Sequence, residues 1–144
     1  MKRSAFIILA CIYVLRISGQ QDTLRVNGNS YLMLKQTEKN EFEGRDTLVK
    51  LYRLEQGKRV YLLTHYLYRY GEDCNNTFKD VGTISYRADS MRFETNYFQK
   101  GHDPIPEKQT QIYRVRPNGT LILLSDRIYW NGKWVNTKDY SMKH

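Results

Sequence analysis

Three histidines, His65, His102 and His144, are the side chains best able to move a proton near neutral pH, and only His102 has a carboxylate beside it, Asp103, in the loop segment 101–106. A carboxylate next to an imidazole raises its basicity, so His102 with Asp103 or Asp126 is the pair from which hydrolysis of an anionic polymer could be built. Adjacent side chains in an extended loop diverge, which weakens that pair. C-x-x-C and H-E-x-x-H are absent, and so are G-x-S-x-G, the P-loop and G-x-G-x-x-G. The pattern calls for no metal and no cofactor, and no catalytic residue is assigned.

Recognition chemistry is better represented. The chain carries 12 Tyr and 2 Trp, whose apolar faces and polar tips suit sugar rings, peptides or a partner protein. Asn131-Gly132 is the dipeptide that tolerates positive φ at both centres of a tight hairpin turn. It pairs Trp130 with Lys133, Tyr129 with Trp134 and Ile128 with Val135. Side-chain alternation then assigns Ile122, Leu124, Ile128, Trp130 and Val135 to a core face and projects Tyr129 and Trp134 from the opposite face beside Arg127. Tyr66, Tyr68 and Tyr70 form a second stripe on the strand 59–70. Tyr129, Trp134, Arg127, Tyr66, Tyr68 and Tyr70 are therefore the candidate ligand-binding residues.

Asp126 falls on the nominal core face. An inward acid there would need a partner such as Arg114 on the neighbouring strand. The alternative, which the sequence favours, is a bulge at Ser125-Asp126 that turns the acid to water.

These side chains require strands to hold them. From about residue 30, runs rich in Tyr, Leu, Ile and Val alternate with glycines at 44, 57, 71, 82, 101, 119 and 132. That spacing predicts an all-β antiparallel meander of about seven or eight strands, closed as a small barrel or folded as a sandwich. The run 91–97 alternates cleanly, with Met91, Phe93 and Tyr97 against Arg92, Glu94 and Asn96. The run 59–70 has no polar side and is long enough to require a bend or bulge. Pro117-Asn118-Gly119 predicts a hairpin that returns residues 112–115 onto 121–124. No helix is expected.

Residues 1–19 read as a signal peptide: Lys2 and Arg3 precede an eleven-residue apolar run stopped by Arg16, with Ser18-Gly19 as the cleavage site. The run is too short for a permanent transmembrane helix. The expected product is a single domain, 20–144, in the periplasm or secreted; the alternative is a lipid anchor at Cys11. Removing 1–19 takes away Lys2, Arg3 and Arg16 but no acid, so 23 basic residues fall to 20 against 15 acidic ones and the net charge falls from +8 to +5. The remaining basic residues form no run, so specific nucleic-acid binding is not expected. Cys74 would be left without a partner in its own chain, with an intermolecular contact as its one special use. A non-enzymatic exported binding module is the reading this supports, and a small basic hydrolase is the alternative.

Overall fold

The computed structural model describes residues 20–42, 44–72, 76–101 and 105–141. The expected signal sequence with Cys11, and also Cys74, the His102-Asp103 pair and His144, lie outside the described residues. Nine strands follow one another as β1 (Gln21–Val26), β2 (Asn29–Lys39), β3 (Arg45–Glu55), β4 (Lys58–Glu72), β5 (Thr77–Arg87), β6 (Ser90–Lys100), β7 (Lys108–Val115), β8 (Leu121–Trp130) and β9 (Lys133–Asn136), and a short helix α1 (Thr137–Ser141) ends them. Every strand pairs antiparallel with its sequence neighbour, giving one nine-stranded open sheet in the order β1 to β9. None of the described helices is long and apolar enough to cross a membrane.

The all-β meander is as expected; the strand count and the helix are not. The additional strand is β1, which Asn27-Gly28 turns back onto β2 with φ of 48° and 76°, the same pair of angles as at Asn131-Gly132. Gly71 and Gly82, expected to mark turns, lie inside β4 and β5. A Cβ at Gly82 would collide with the Tyr66 carbonyl and the His65 ring, so that glycine permits a close crossing of strands rather than a reversal.

Alternation decides what the sheet encloses. Leu24, Val26, Tyr31, Leu51, Met91, Phe93 and Val115 form one buried cluster drawn from five strands. Such a cluster requires the sheet to curl, and the curl is fastened where the turns meet. Asn27 N–H donates to Ala88 O (2.9 Å) and Val115 N–H to Asp89 O (2.7 Å), while the Asn27 amide donates to Val115 O (2.9 Å). Tyr31, fully buried, donates its hydroxyl to Gly119 O at 2.9 Å, and Arg53 reaches Asn118 O at 2.9 Å. The β1–β2, β5–β6 and β7–β8 turns are thus joined by groups far apart in sequence.

Register shifts bend the long strands. β4 slips against β3 between Thr47 and Leu48 and again between Leu51 and Tyr52, as the length of the run predicts. β8 slips against β7 opposite Ile112/Tyr113, where Leu124 has no partner. This bulge lies one residue ahead of the expected place and acts in the opposite sense. It packs Leu121 against the core and turns Ile122 outside, leaves Leu123 48% exposed although its register matches Tyr113, and keeps Asp126 with Ile128 and Trp130 on the inner face. Leu124 is exposed rather than core.

His65 is buried edge-on against Phe93, with ring centroids 5.3 Å apart. Burial pushes its imidazole below the ordinary value, while backbone contacts with Glu94 and Thr83 pull the other way. A lowered folded pKa means the unfolded chain binds the proton more readily, so this stability is present above about pH 6.5 and is lost as the pH falls. The urea midpoint is expected to drop between pH 7 and pH 5, and His65→Leu is expected to flatten that slope. Separately, Tyr31→Phe is expected to cost about 1 kcal/mol in urea denaturation through the lost bond to Gly119.

Candidate functional site

The hairpin at Asn131-Gly132 adopts the expected register: Ile128 opposes Val135, Tyr129 opposes Trp134 and Trp130 opposes Lys133. Directly opposed side chains share a face, so Tyr129 and Trp134 meet edge-to-face with centroids 5.4 Å apart. Trp134 keeps 37% of its surface exposed. Arg127 lies on the same face and donates to Trp134 O at 3.4 Å. Trp130, on the inner face, packs not into the main cluster but against Tyr140 of α1, at 5.3 Å.

The tyrosine stripe of β4 is divided. The bulge sets Tyr66 opposite Leu48 and Tyr68 opposite Thr47, consecutive residues of β3 whose side chains leave on opposite faces. The contacts agree: the Arg69 guanidinium lies 4.8 Å over Tyr66, whereas Lys79 lies 5.9 Å from Tyr68. Tyr70 donates its hydroxyl to Glu72. Tyr66 therefore does not extend the Tyr68–Tyr70 row.

Register extends the outer face across the sheet. One row runs Tyr68, Val81, Asn96, Lys108, Tyr129, Trp134, joining Tyr68 to the hairpin aromatics. The next is Thr83, Glu94, Thr110, Arg127, Asn136, and the one after it Ser85, Arg92, Ile112, Ser125. Beyond these lie Arg87, Ser90, Arg114 and Ile122. On these rows Arg87, Arg92, Lys108, Arg114 and Arg127 face a lone acid, Glu94. Basic residues scattered in the sequence are gathered on one face because residues an even number apart on a strand share a side.

Glu94 is held between Lys108 Nζ at 2.9 Å and Arg92 at 3.0 Å. The Lys108 hydrogen bond foremost, opposed by burial and helped by the charges of Arg92 and Lys108, keeps its carboxyl below the usual range. Two hollows indent this face. One, of about 230 Å³, is lined by Arg92, Thr110, Ile112, Ser125, Arg127 and Trp134. The other, of about 390 Å³, has Arg87, Ser85, Ser90 and Tyr86 on its far side, is also lined by Glu94, and shares Arg92 and Ile112 with the first. Sequence reasoning set Trp134 and Arg127 on one face but did not set Arg92 beside them, because nothing local to residue 92 places it two strands from residue 127.

The inner face is polar at the end away from the core. Asp126 accepts hydrogen bonds from Gln109 (2.8 Å), Gln111 (3.1 Å) and the Thr137 hydroxyl (2.7 Å). It is thus inward and satisfied by neutral donors rather than turned to water. Arg114 is no partner for it, since Arg114 opposes Ile122 on the outer side of the bulge. Tyr97 donates to Gln109 at 2.7 Å, and burial foremost, with the negative fields of Asp80 and Asp126, pushes its hydroxyl up to about 12. Arg69 stands between Asp46 (3.4 Å) and Asp80 (3.9 Å). Among the described residues no three His, Cys, Asp or Glu side chains converge as a metal site. With three donors already aimed at it, Asp126 has a structural task.

Asp126→Ala is expected to strand those donors and cost about 1–3 kcal/mol in urea denaturation. Thr137→Val, which removes one bond and loosens α1, is expected to cost about 1 kcal/mol.

No protein-family model, curated protein or solved structure matches the chain.

Proposed function

We propose that the chain is an exported, non-enzymatic binding module that presents the outer face of β8 and β9 to a glycan, peptide or partner protein. Residues 1–19 serve as its export signal on the strength of their basic tip and short apolar run. The curled sheet serves as a barrel-like support, filled by apolar side chains at one end and by the Tyr97–Gln109–Asp126 network at the other. A filled interior leaves recognition to the outside.

One observation carries this reading: the half-exposed Trp134 indole, braced by Tyr129, forms one wall of a hollow that also holds Arg127. An indole fixed by an aromatic neighbour loses little conformational freedom on binding, and aromatic and arginine side chains dominate binding energies for that reason. At about 230 Å³ the hollow takes one sugar ring or one side chain rather than a whole small molecule.

Titration of residues 20–144 against glycan and peptide arrays tests it. Trp134→Ala and Arg127→Ala are each expected to weaken the selected ligand by about tenfold or more without shifting Tm by more than about 3 °C. Binding that survives both substitutions would remove this face from the function.

A further inference from the structure

We infer that the ligand of this face is an acidic polysaccharide laid across the strands from β9 towards β5, with its acidic groups on Arg127 and Arg92 and a sugar ring on Trp134. The inference rests on the proposed binding role and narrows its ligand class. Three observations carry it. First, the two hollows are not separate sites: they share Arg92 and Ile112, so together they cross from Trp134 on β9 to Ser85 and Arg87 on β5. Four strand steps of about 4.8 Å make that roughly 19 Å across the strands, the dimension of a chain of several rings.

Second, the charges recur along the trough. Arg127 and Arg92 are two strands and one row apart, and Arg87 continues past Arg92 in the same diagonal direction. Two strand steps are about 10 Å. The lone acid among them, Glu94, is neutralised by Lys108 and Arg92, which leaves a net positive track. A polymer bearing acids at intervals meets this track with complementary charge.

Third, the floor is furnished with neutral hydrogen-bonding groups: Thr110 and Ser125 in one hollow, Ser85 and Ser90 in the other. These suit a hydroxyl-rich ligand. A peptide would seek main-chain partners, but the backbones of β6, β7 and β8 are each paired on both sides. A single-stranded nucleic acid gains its affinity from successive stacking platforms, and here the aromatics stand only at the two ends, Trp134 and Tyr86.

Four probes of similar length decide the matter by calorimetry on residues 20–144: oligogalacturonate, neutral dextran, poly-glutamate and oligo-dT. Oligogalacturonate is expected to bind best and to weaken steeply as salt is raised from 50 to 500 mM. The Arg92→Gln/Arg127→Gln variant is expected to lose about tenfold or more in that affinity. Lys58→Gln/Arg59→Gln, equal in charge change but at the exposed β3–β4 turn, is expected to change it less than about twofold. Arg87→Gln, in the second hollow and outside the Glu94 pairing, is expected to weaken the same affinity severalfold, and no change in that variant overturns the track should the double variant melt early. Dextran bound as tightly as oligogalacturonate, with dependence on Trp134, overturns the acidic ligand while the binding role stands. Tighter binding of poly-glutamate or oligo-dT overturns the polysaccharide in favour of that class. Equal losses in the two double variants reduce the effect to net charge and overturn the track. Failure of all four probes, together with silent glycan and peptide arrays, removes the binding role itself.

Discussion

Side-chain alternation, fixed by the register of each strand on its neighbour, governs everything this sheet does. A strand offers alternate residues to opposite faces, so a slip of one residue exchanges the two sets completely. β6 keeps strict register with β5 and β7, which buries Met91 and Phe93 and turns Arg92 and Glu94 outward. On β8 one unpaired residue, Leu124, changes the assignment. Ahead of it the odd-numbered Leu121 packs on the core; after it the even-numbered Asp126, Ile128 and Trp130 point to that side. Without that extra residue, either Asp126 and Ile128 or Leu121 would face the wrong way.

The enclosed side is uneven along its length. At the end where the β1–β2, β5–β6 and β7–β8 turns meet, it is filled by aliphatic and aromatic side chains and sealed by Tyr31, Asn27 and Arg53 bonding to backbone carbonyls. At the other end the same face carries Arg69, Asp80, Tyr97, Gln109, Gln111 and Asp126. Burying these groups costs free energy unless they find partners; Asp126, Gln109, Gln111 and Tyr97 are hydrogen-bonded to one another or to Thr137, and Asp80 is paired with Arg69. Burial raises the pKa of Asp80 against the pull of Arg69, and Asp46 adds to the rise. These acids therefore serve the fold.

With the interior filled, the outer face is where the proposed binding would take place. That face combines cations and hydroxyls with exposed aromatics, among them Tyr68, Phe98 and the indole of Trp134 braced by Tyr129. The Glu94 pairings with Arg92 and Lys108 matter less for stability, being close to water, than for holding the arginine side chain along the trough wall. The proposed acidic ligand would meet that local positioning rather than the overall charge of +8, part of which belongs to residues 1–19.

Local chemistry was sufficient for much of this. Asn131-Gly132 alone determined the pairing of Tyr129 with Trp134, because two positive-φ centres admit only one tight reversal; Pro117-Asn118-Gly119 did the same for the return of β8 onto β7. Asn27-Gly28 would have revealed β1 by the same logic, and the length of residues 59–70 announced the bends of β4. Other features depend on which strands lie side by side and where a register slips. A bulge leaves no mark in composition, so Leu124 could be read as core, Asp126 as turned to water and Tyr66 as level with Tyr68. The gathering of Arg87, Arg92, Lys108, Arg114 and Arg127 is likewise invisible in a linear chain, since they lie on four strands and become neighbours only when hydrogen bonding sets those strands about 4.8 Å apart. Sequence determined the turns and the alternation within each strand; tertiary structure decided the faces, because a face is a property of several strands in register.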